Sequence, residues 1–280
     1  IGSYNTPGDA YDVDLYGNYA YVIDRTSIQV INISDPANPT LTKEVKSYVF
    51  GDYRGLAISG NYAYVAHSDG LAIYDPSNPY TPSAIGGIYL SSAAYGVAVS
   101  GNYAYVADGA DGLKVVNVSD KANPTTTGSL DTSGTANKVA VSGNYAYVAD
   151  GASGLQIINI TDSASPTSTA AVATAGYAYG VDLYGNYALL AEGTAGFRII
   201  DIADPTNATT TATIDTPGTT YQVVASGNYA YVADKTSFRI YDISTIANPV
   251  LKGTIATTDT RSVVAGNSSY VFAASPNYGT

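Results

Sequence analysis

The phrase Gly-Asn-Tyr-Ala-Tyr-Val, or a close variant, recurs seven times, beginning at Gly17, Gly60, Gly101, Gly143, Gly185, Gly227 and Gly266. The gaps are 43, 41, 42, 42, 42 and 39 residues, so one unit of about 42 residues fills the 280-residue chain. Such a unit cannot bury its apolar face alone and must stack on its neighbours, which confines the fold to repeat architectures.

The unit at residues 95–135 reads as four short strands. Tyr95–Val99 is a β-branched run (strand a), Ser100-Gly-Asn102 a tight turn, and Tyr103–Ala107 alternates large and small residues with period two (strand b). Asp108–Gly112 is a second turn, Leu113–Val118 strand c, Ser119–Pro124 a loop that proline stops from continuing the ladder, and Thr126–Leu130 strand d. No segment has the 3.6-residue apolar period of a helix, and coils of parallel β-helices are shorter. The expected fold is therefore all-β: a seven-bladed β-propeller of four-stranded antiparallel blades, forming a single domain over residues 1–280.

The strand-c text Leu155-Gln-Ile-Ile-Asn-Ile160 and Phe197-Arg-Ile-Ile-Asp-Ile202, followed by Asp204-Pro205 or Ala-Asn-Pro, resembles the LVIVD repeat family. That resemblance implies a propeller in a secreted or cell-surface protein of bacteria or archaea. It brings no catalytic motif with it.

Alternation on strand b puts Tyr103 and Tyr105 on one face and Ala104 and Val106 on the other. The same holds at Tyr19/Tyr21, Tyr62/Tyr64, Tyr145/Tyr147 and Tyr229/Tyr231. Large faces meeting small ones around a ring account for most of the 27 tyrosines without a ligand.

The ends of the chain predict an incomplete last blade. Ile1–Tyr11 matches Ala212–Tyr221, so the chain begins on strand d, and the last copy supplies strand a (Ser262–Ala265) and strand b (Ser269–Ala273) before stopping at Asn277–Thr280. Closure by the N-terminal strand leaves one central strand missing. Either a terminus fills the slot, or the natural chain continues past Thr280, or a neighbouring subunit donates a strand. Ile1, Gly2, Ser3, Tyr4, Asn277 and Tyr278 are the expected assembly edge. The start at Ile1, without Met or a charged leader, reads as a processed or trimmed form.

Composition removes several functions. With no cysteine and one histidine, His67, the chain lacks disulfides, a thiol nucleophile and any Cys- or His-rich metal site. A net charge of −11 opposes binding to nucleic acid phosphates, and no apolar run is long enough for membrane insertion. Hydrolase, P-loop, zinc and dinucleotide motifs are absent, so the chain is expected not to be an enzyme, a carboxylate-based hydrolase being the third reading.

Three sets of residues are candidate sites. The residues entering strand a at the channel mouth are Tyr11, Arg54, Tyr95, Asn137, Tyr179, Tyr221 and Arg261, a mixed aromatic and hydrogen-bonding ring suited to a glycan or peptide. At the end of strand b, Asp24, Asp108, Asp150, Glu192 and Asp234 form an acidic ring broken by His67 and Ala274. These acids are expected to cap turns two residues on, and no cofactor is expected; the one metal alternative is calcium, with Asp108 and Asp111 as ligands. Five sequons, at Asn32, Asn117, Asn159, Asn207 and Asn267, are glycosylation candidates.

The leading expectation is an extracellular structural or interaction module, a subunit of a surface layer, sheath or filament that associates with itself or other surface proteins through its open seventh blade. A glycan- or peptide-binding propeller is the alternative.

Overall fold

The computed structural model describes residues 2–46, 51–266 and 270–275. Strands β1–β26, numbered in chain order, form six four-stranded antiparallel sheets and one two-stranded ribbon. Blades 1 to 6 span residues 10–46, 53–89, 96–130, 138–172, 180–214 and 220–256, each ordered a-b-c-d from the axis outwards. Blade 3 comprises β9 (Gly96–Ser100), β10 (Tyr103–Ala107), β11 (Leu113–Asn117) and β12 (Thr125–Leu130), within one residue of the expected bounds. Among the described residues no helix is long and apolar enough to cross a membrane.

The propeller therefore has six blades, not the expected seven. The seventh copy is only the ribbon of β25 (Ser262–Ala265) and β26 (Val271–Ala274), and no strand c or d follows it among the described residues. β25 nevertheless lies between β21 (Thr220–Ser226) and β1 (Ala10–Tyr16), so seven innermost strands close a ring around the axis. The ring is complete inside and open outside.

Nor does the N-terminal segment form the expected closing strand. Gly2-Ser3-Tyr4-Asn5-Thr6-Pro7-Gly8 aligns with Gly128-Ser129-Leu130-Asp131-Thr132-Ser133-Gly134, whose first three residues belong to strand d of blade 3. The placement agrees: a Cβ on Gly128 would lie 2.3 Å from the Ser163 carbonyl in the next blade, and one on Gly2 would lie 2.3 Å from the Pro36 carbonyl. Residues 2–5 thus sit where strand d of a seventh blade belongs. They form no strand, and among the described residues no strand c lies beside them to pair with.

Packing between blades follows the large-against-small alternation. Tyr105 of blade 3 packs on Ala146 and Val148 of blade 4, whereas Ala104 and Val106 face Tyr64 of blade 2. Strand c obeys a stricter rule. In blade 5 the first and third apolar residues, Phe197 and Ile199, face blade 6, while Ile200 faces blade 4. In blade 3, Leu113 and Val115 likewise face forwards and Val116 backwards. Tyr21 in blade 1 donates its hydroxyl to the Pro76 carbonyl of blade 2 at 2.9 Å. Burial of this kind pushes the Tyr21 and Tyr64 phenols up to about 12.

Candidate functional site

The seven residues expected at the channel mouth do converge on one depression of about 280 Å³, joined by Asp12, Lys138, Gly180 and Gln222. One residue from each sector enters it because each stands immediately before or at the start of an innermost strand. The Arg54 guanidinium stacks over the Tyr95 ring at 4.5 Å, and Arg261 lies 5.2 and 5.7 Å from the rings of Tyr11 and Tyr221. Tyr179 meets Tyr221 edge-on at 5.2 Å and lies tilted against Tyr177 at 4.7 Å. Asn137 donates its amide to the Thr135 and Ala178 carbonyls, both at 2.9 Å, and so links blade 4 to blade 5.

Two cations of the mouth are already paired: Lys138 with Asp12 at 2.7 Å, and Arg261 with Asp259 at 2.9 Å. Arg54 has no carboxylate within ion-pair distance among the described residues, and its buried Nε lacks a hydrogen-bond partner.

Asp12 follows Tyr11 at the mouth. It is 4% exposed and accepts hydrogen bonds from the Leu56 N–H of blade 2 at 3.0 Å, from Lys138 of blade 4, and from the Ser262 hydroxyl of the seventh copy at 2.7 Å. Similar bonds run from Ile58 N–H to Asp14, from Ala225 N–H to Asp182 and from Val263 N–H to Gln222. These polar ties between adjacent innermost strands hold the inner ring. Burial raises the pKa of Asp14 and Asp182 against the hydrogen bonds that lower it. A lone Asp in an alternating strand looks solvent-facing, which is why sequence reasoning missed them.

The acidic ring is buried rather than exposed: Asp24, Asp108, Asp150, Glu192 and Asp234 are each at most 1% exposed. The expected cap to a residue two positions on is wrong. Asp24 instead accepts the Gly8 N–H sixteen residues away, Asp150 accepts Gly134 N–H and the Thr132 hydroxyl, and Asp234 accepts Gly218 N–H. These three carboxylates latch the Thr-x-Gly loops that lead into their own blades. A Cβ at Gly218 would fall 1.9 Å from Asp234 Oδ1, so the loop needs glycine there.

The ring position in the seventh copy is Ser275, not Ala274. β25–β26 pairing puts Ala274 opposite Ser262, as Ala233 stands opposite Gln222, because the preceding turn is one residue longer. Ser275 reaches the Thr260 hydroxyl at 3.1 Å.

For the calcium candidates the chemistry is unfavourable. Lys114 Nζ lies 4.0 Å from Asp108 and 3.4 Å from Asp111, so an ammonium already answers both carboxylates. Among the described residues no group of three or more potential ligands could hold a metal ion. The recurrent sequons also have a structural cause: Asn32, Asn117 and Asn159 accept the N–H of Ser34, Ser119 and Thr161 in Asx turns, a role that Asp75, Asp201 and Asp242 fill in other blades. Asn207 is exposed in a loop between strands; Asn267 lies outside the described residues, as do Ile1, Asn277 and Tyr278.

Two buried groups of this ring titrate in opposite senses. Burial pushes the Asp108 carboxyl from 3.8 up to about 6 and His67 from 6.5 down to about 4. Between pH 4 and 6 folded Asp108 keeps a proton that the unfolded chain has lost, so its stabilisation is full below pH 4 and disappears as pH rises to 6. His67 folds neutral, and its stabilisation is full above pH 6.5 and disappears as pH falls to 4. Each effect is roughly 3 kcal/mol. Urea unfolding at pH 4.5 and 6.5 should therefore change slope in opposite directions: relative to the parent, Asp108→Asn gains stability at the higher pH and His67→Gln loses it. Equal slopes in both variants would refute the assignment.

The second opening is a wedge of about 1330 Å³ beside the seventh copy. Its walls are Val22, Ile31 and Ile33 of blade 1 and Tyr231, Phe238 and Ile240 of blade 6, with β26 on its inner side and residues 2–5 on its outer side. Phe238 occupies the same place on strand c as Phe197, one residue after the turn and opposite an alanine of strand b. Phe197 is covered by Tyr241 of the following blade at 5.2 Å; Phe238 faces the wedge.

The LVIVD repeat model matches residues 7–47, 50–89, 92–132, 133–174, 175–216 and 217–257, one match for each complete blade. No curated protein matches the chain. Similar solved structures include the computationally designed Ika8 protein (TM-score 0.71, 9% identity, covering 96% of this chain and 94% of that one). They also include the Cps50 (Swd1) β-propeller domain of Myceliophteria thermophila (0.75, 12%, 92% and 90%). A third is the periplasmic gluconolactonase PpgL of Pseudomonas aeruginosa (0.77, 13%, 89% and 86%). At such identities the likeness concerns the fold alone.

Proposed function

This chain belongs to the LVIVD repeat family, and on that footing we propose that it is a non-catalytic protein-interaction module of an extracellular cell-surface assembly, which associates through its open seventh sector. One observation carries the reading: a wedge of about 1330 Å³ has apolar walls contributed by two complete blades and, on its inner side, a strand with one edge unpaired among the described residues. Exposed apolar surface of this extent, rimmed by polar loops, marks a contact site, and a free strand edge is a template for another strand. Support for an extracellular setting comes from a chain without cysteine or methionine, which has no sulfur to oxidise.

A second reading is favoured by Arg54. A guanidinium held on an aromatic ring at the channel mouth, with no carboxylate of its own, suits an acidic group of a glycan or peptide.

Sedimentation tests the first reading. The parent should form concentration-dependent assemblies that Ile240→Glu, a charge on the wedge wall, dissolves without unfolding the protein. A parent that stays monomeric at all concentrations would overturn self-assembly through the wedge. On a glycan array, the second reading expects binding that Ile240→Glu leaves unchanged and Tyr179→Ala removes.

A further inference from the structure

The wedge has a more definite shape than an apolar groove, and we infer that it is a slot one strand wide that accepts a strand c from another polypeptide, with the sequence pattern apolar-x-apolar-apolar-Asn/Asp. The inference rests on the reading of the open sector as a contact site and specifies what fills it.

The two sides of the slot are in register. On the inner side, the Arg261 N–H donates to the Ala274 carbonyl as the Tyr179 N–H does to that of Ala191, so β26 is aligned as strand b of blade 5 is. In blade 5, Ala191, Leu190, Leu189, Ala188 and Tyr187 stand opposite Phe197, Arg198, Ile199, Ile200 and Asp201. An incoming strand therefore meets Ala274, Ala273, Phe272, Val271 and Tyr270 in turn. On the outer side, Tyr4, Ser3 and Gly2 align with Leu130, Ser129 and Gly128, which stand opposite Leu113, Lys114 and Val115. Both sides place the same three positions opposite each other, with Ala274 and Tyr4 at the first; these two already share one apolar cluster.

The pattern follows from the facing rule of the complete blades. The first and third residues of the strand face forwards onto Val22 and Ile31 of blade 1, and the fourth faces backwards onto Phe238 and Ile240 of blade 6. The fifth takes the Asn or Asp that starts the Asx turn in every complete blade. The second residue is also constrained. In the five blades with a buried acid that position holds Lys114, Arg198 or Arg239 as its cation, or Gln29 or Gln156, whereas blade 2, with His67 in place of the acid, has Ala72. Ser275 stands at the acid position of the seventh copy, so an uncharged second residue fits. The five residues after Ser275, Pro276-Asn-Tyr-Gly-Thr280, do not carry the pattern.

The test is a synthetic peptide copying residues 153–161 (Ser-Gly-Leu-Gln-Ile-Ile-Asn-Ile-Thr), added to the intact chain. It should bind saturably, raise the melting temperature with concentration and compete with self-assembly. Replacing the residues equivalent to Leu155, Ile157 and Ile158 by serine removes three buried apolar side chains and should weaken binding more than tenfold. Equal binding of the serine peptide would overturn the pattern. If the parent peptide does not bind although Ile240→Glu dissolves the assemblies, the single-strand slot fails and the broader contact reading stands. If the peptide binds a chain that never self-associates, the slot stands and self-assembly fails.

Discussion

Phe197→Ala is expected to lower the unfolding free energy by about 3–5 kcal/mol, and Phe238→Ala by less than about half of that. The two phenylalanines share one position on strand c, but Phe197 is fully buried under Tyr241 whereas Phe238 retains 8% exposure at the wedge. Truncation at a filled blade-blade interface leaves a cavity and removes an edge-on aromatic contact; truncation at the wedge removes a side chain opposed by the two-stranded ribbon, through Val263 and Val271, rather than by a complete blade. Urea denaturation of both variants measures the difference. Similar losses would mean that the seventh sector is packed like the others.

The second large effect falls on the inner ring. Asp12→Ala should cost about 3–5 kcal/mol, because it leaves Lys138 half-buried without its partner and removes the acceptor for Leu56 N–H and Ser262. Asp12→Asn keeps an acceptor oxygen and should lose less. In the Ala variant the seventh copy, tied to blade 1 through Ser262, should become the first region cut by protease. A loss within about 0.5 kcal/mol, the usual range of a surface substitution, would show that ring closure does not run through Asp12.

Much of this architecture was legible because the repeat states each rule several times over. Period, strand order, the tyrosine-alanine faces and the ring of residues at the channel mouth all follow from alternation and spacing, which are local properties. The two-stranded form of the seventh copy among the described residues was legible too, in the text of its strands a and b. What local pattern does not encode is partnership across blades. Asp12, Asp14 and Asp182 bond to the next sector, and Asp24, Asp150 and Asp234 reach loops sixteen residues back, so their burial becomes visible only once the ring is assembled. The extra residue in the last turn moved Ser275 into the place assigned to Ala274, a shift that only the β25–β26 ladder reveals. Seven copies became six blades for a related reason: a strand exists only where another strand pairs with it, and Gly2-Ser3-Tyr4 has the sequence and position of strand d without a partner strand among the described residues.

Amide hydrogen exchange along β26 tests the open slot most directly. In the monomer, the β26 amides that do not bond to β25 should exchange near the rate of an open loop, while those of β10, the same strand in a closed blade, stay protected. Saturation with the residue 153–161 peptide should slow them at least about tenfold, as expected for amides that gain a ladder partner. β26 amides already as protected as those of β10 in the peptide-free monomer, or unchanged by bound peptide, would contradict the account.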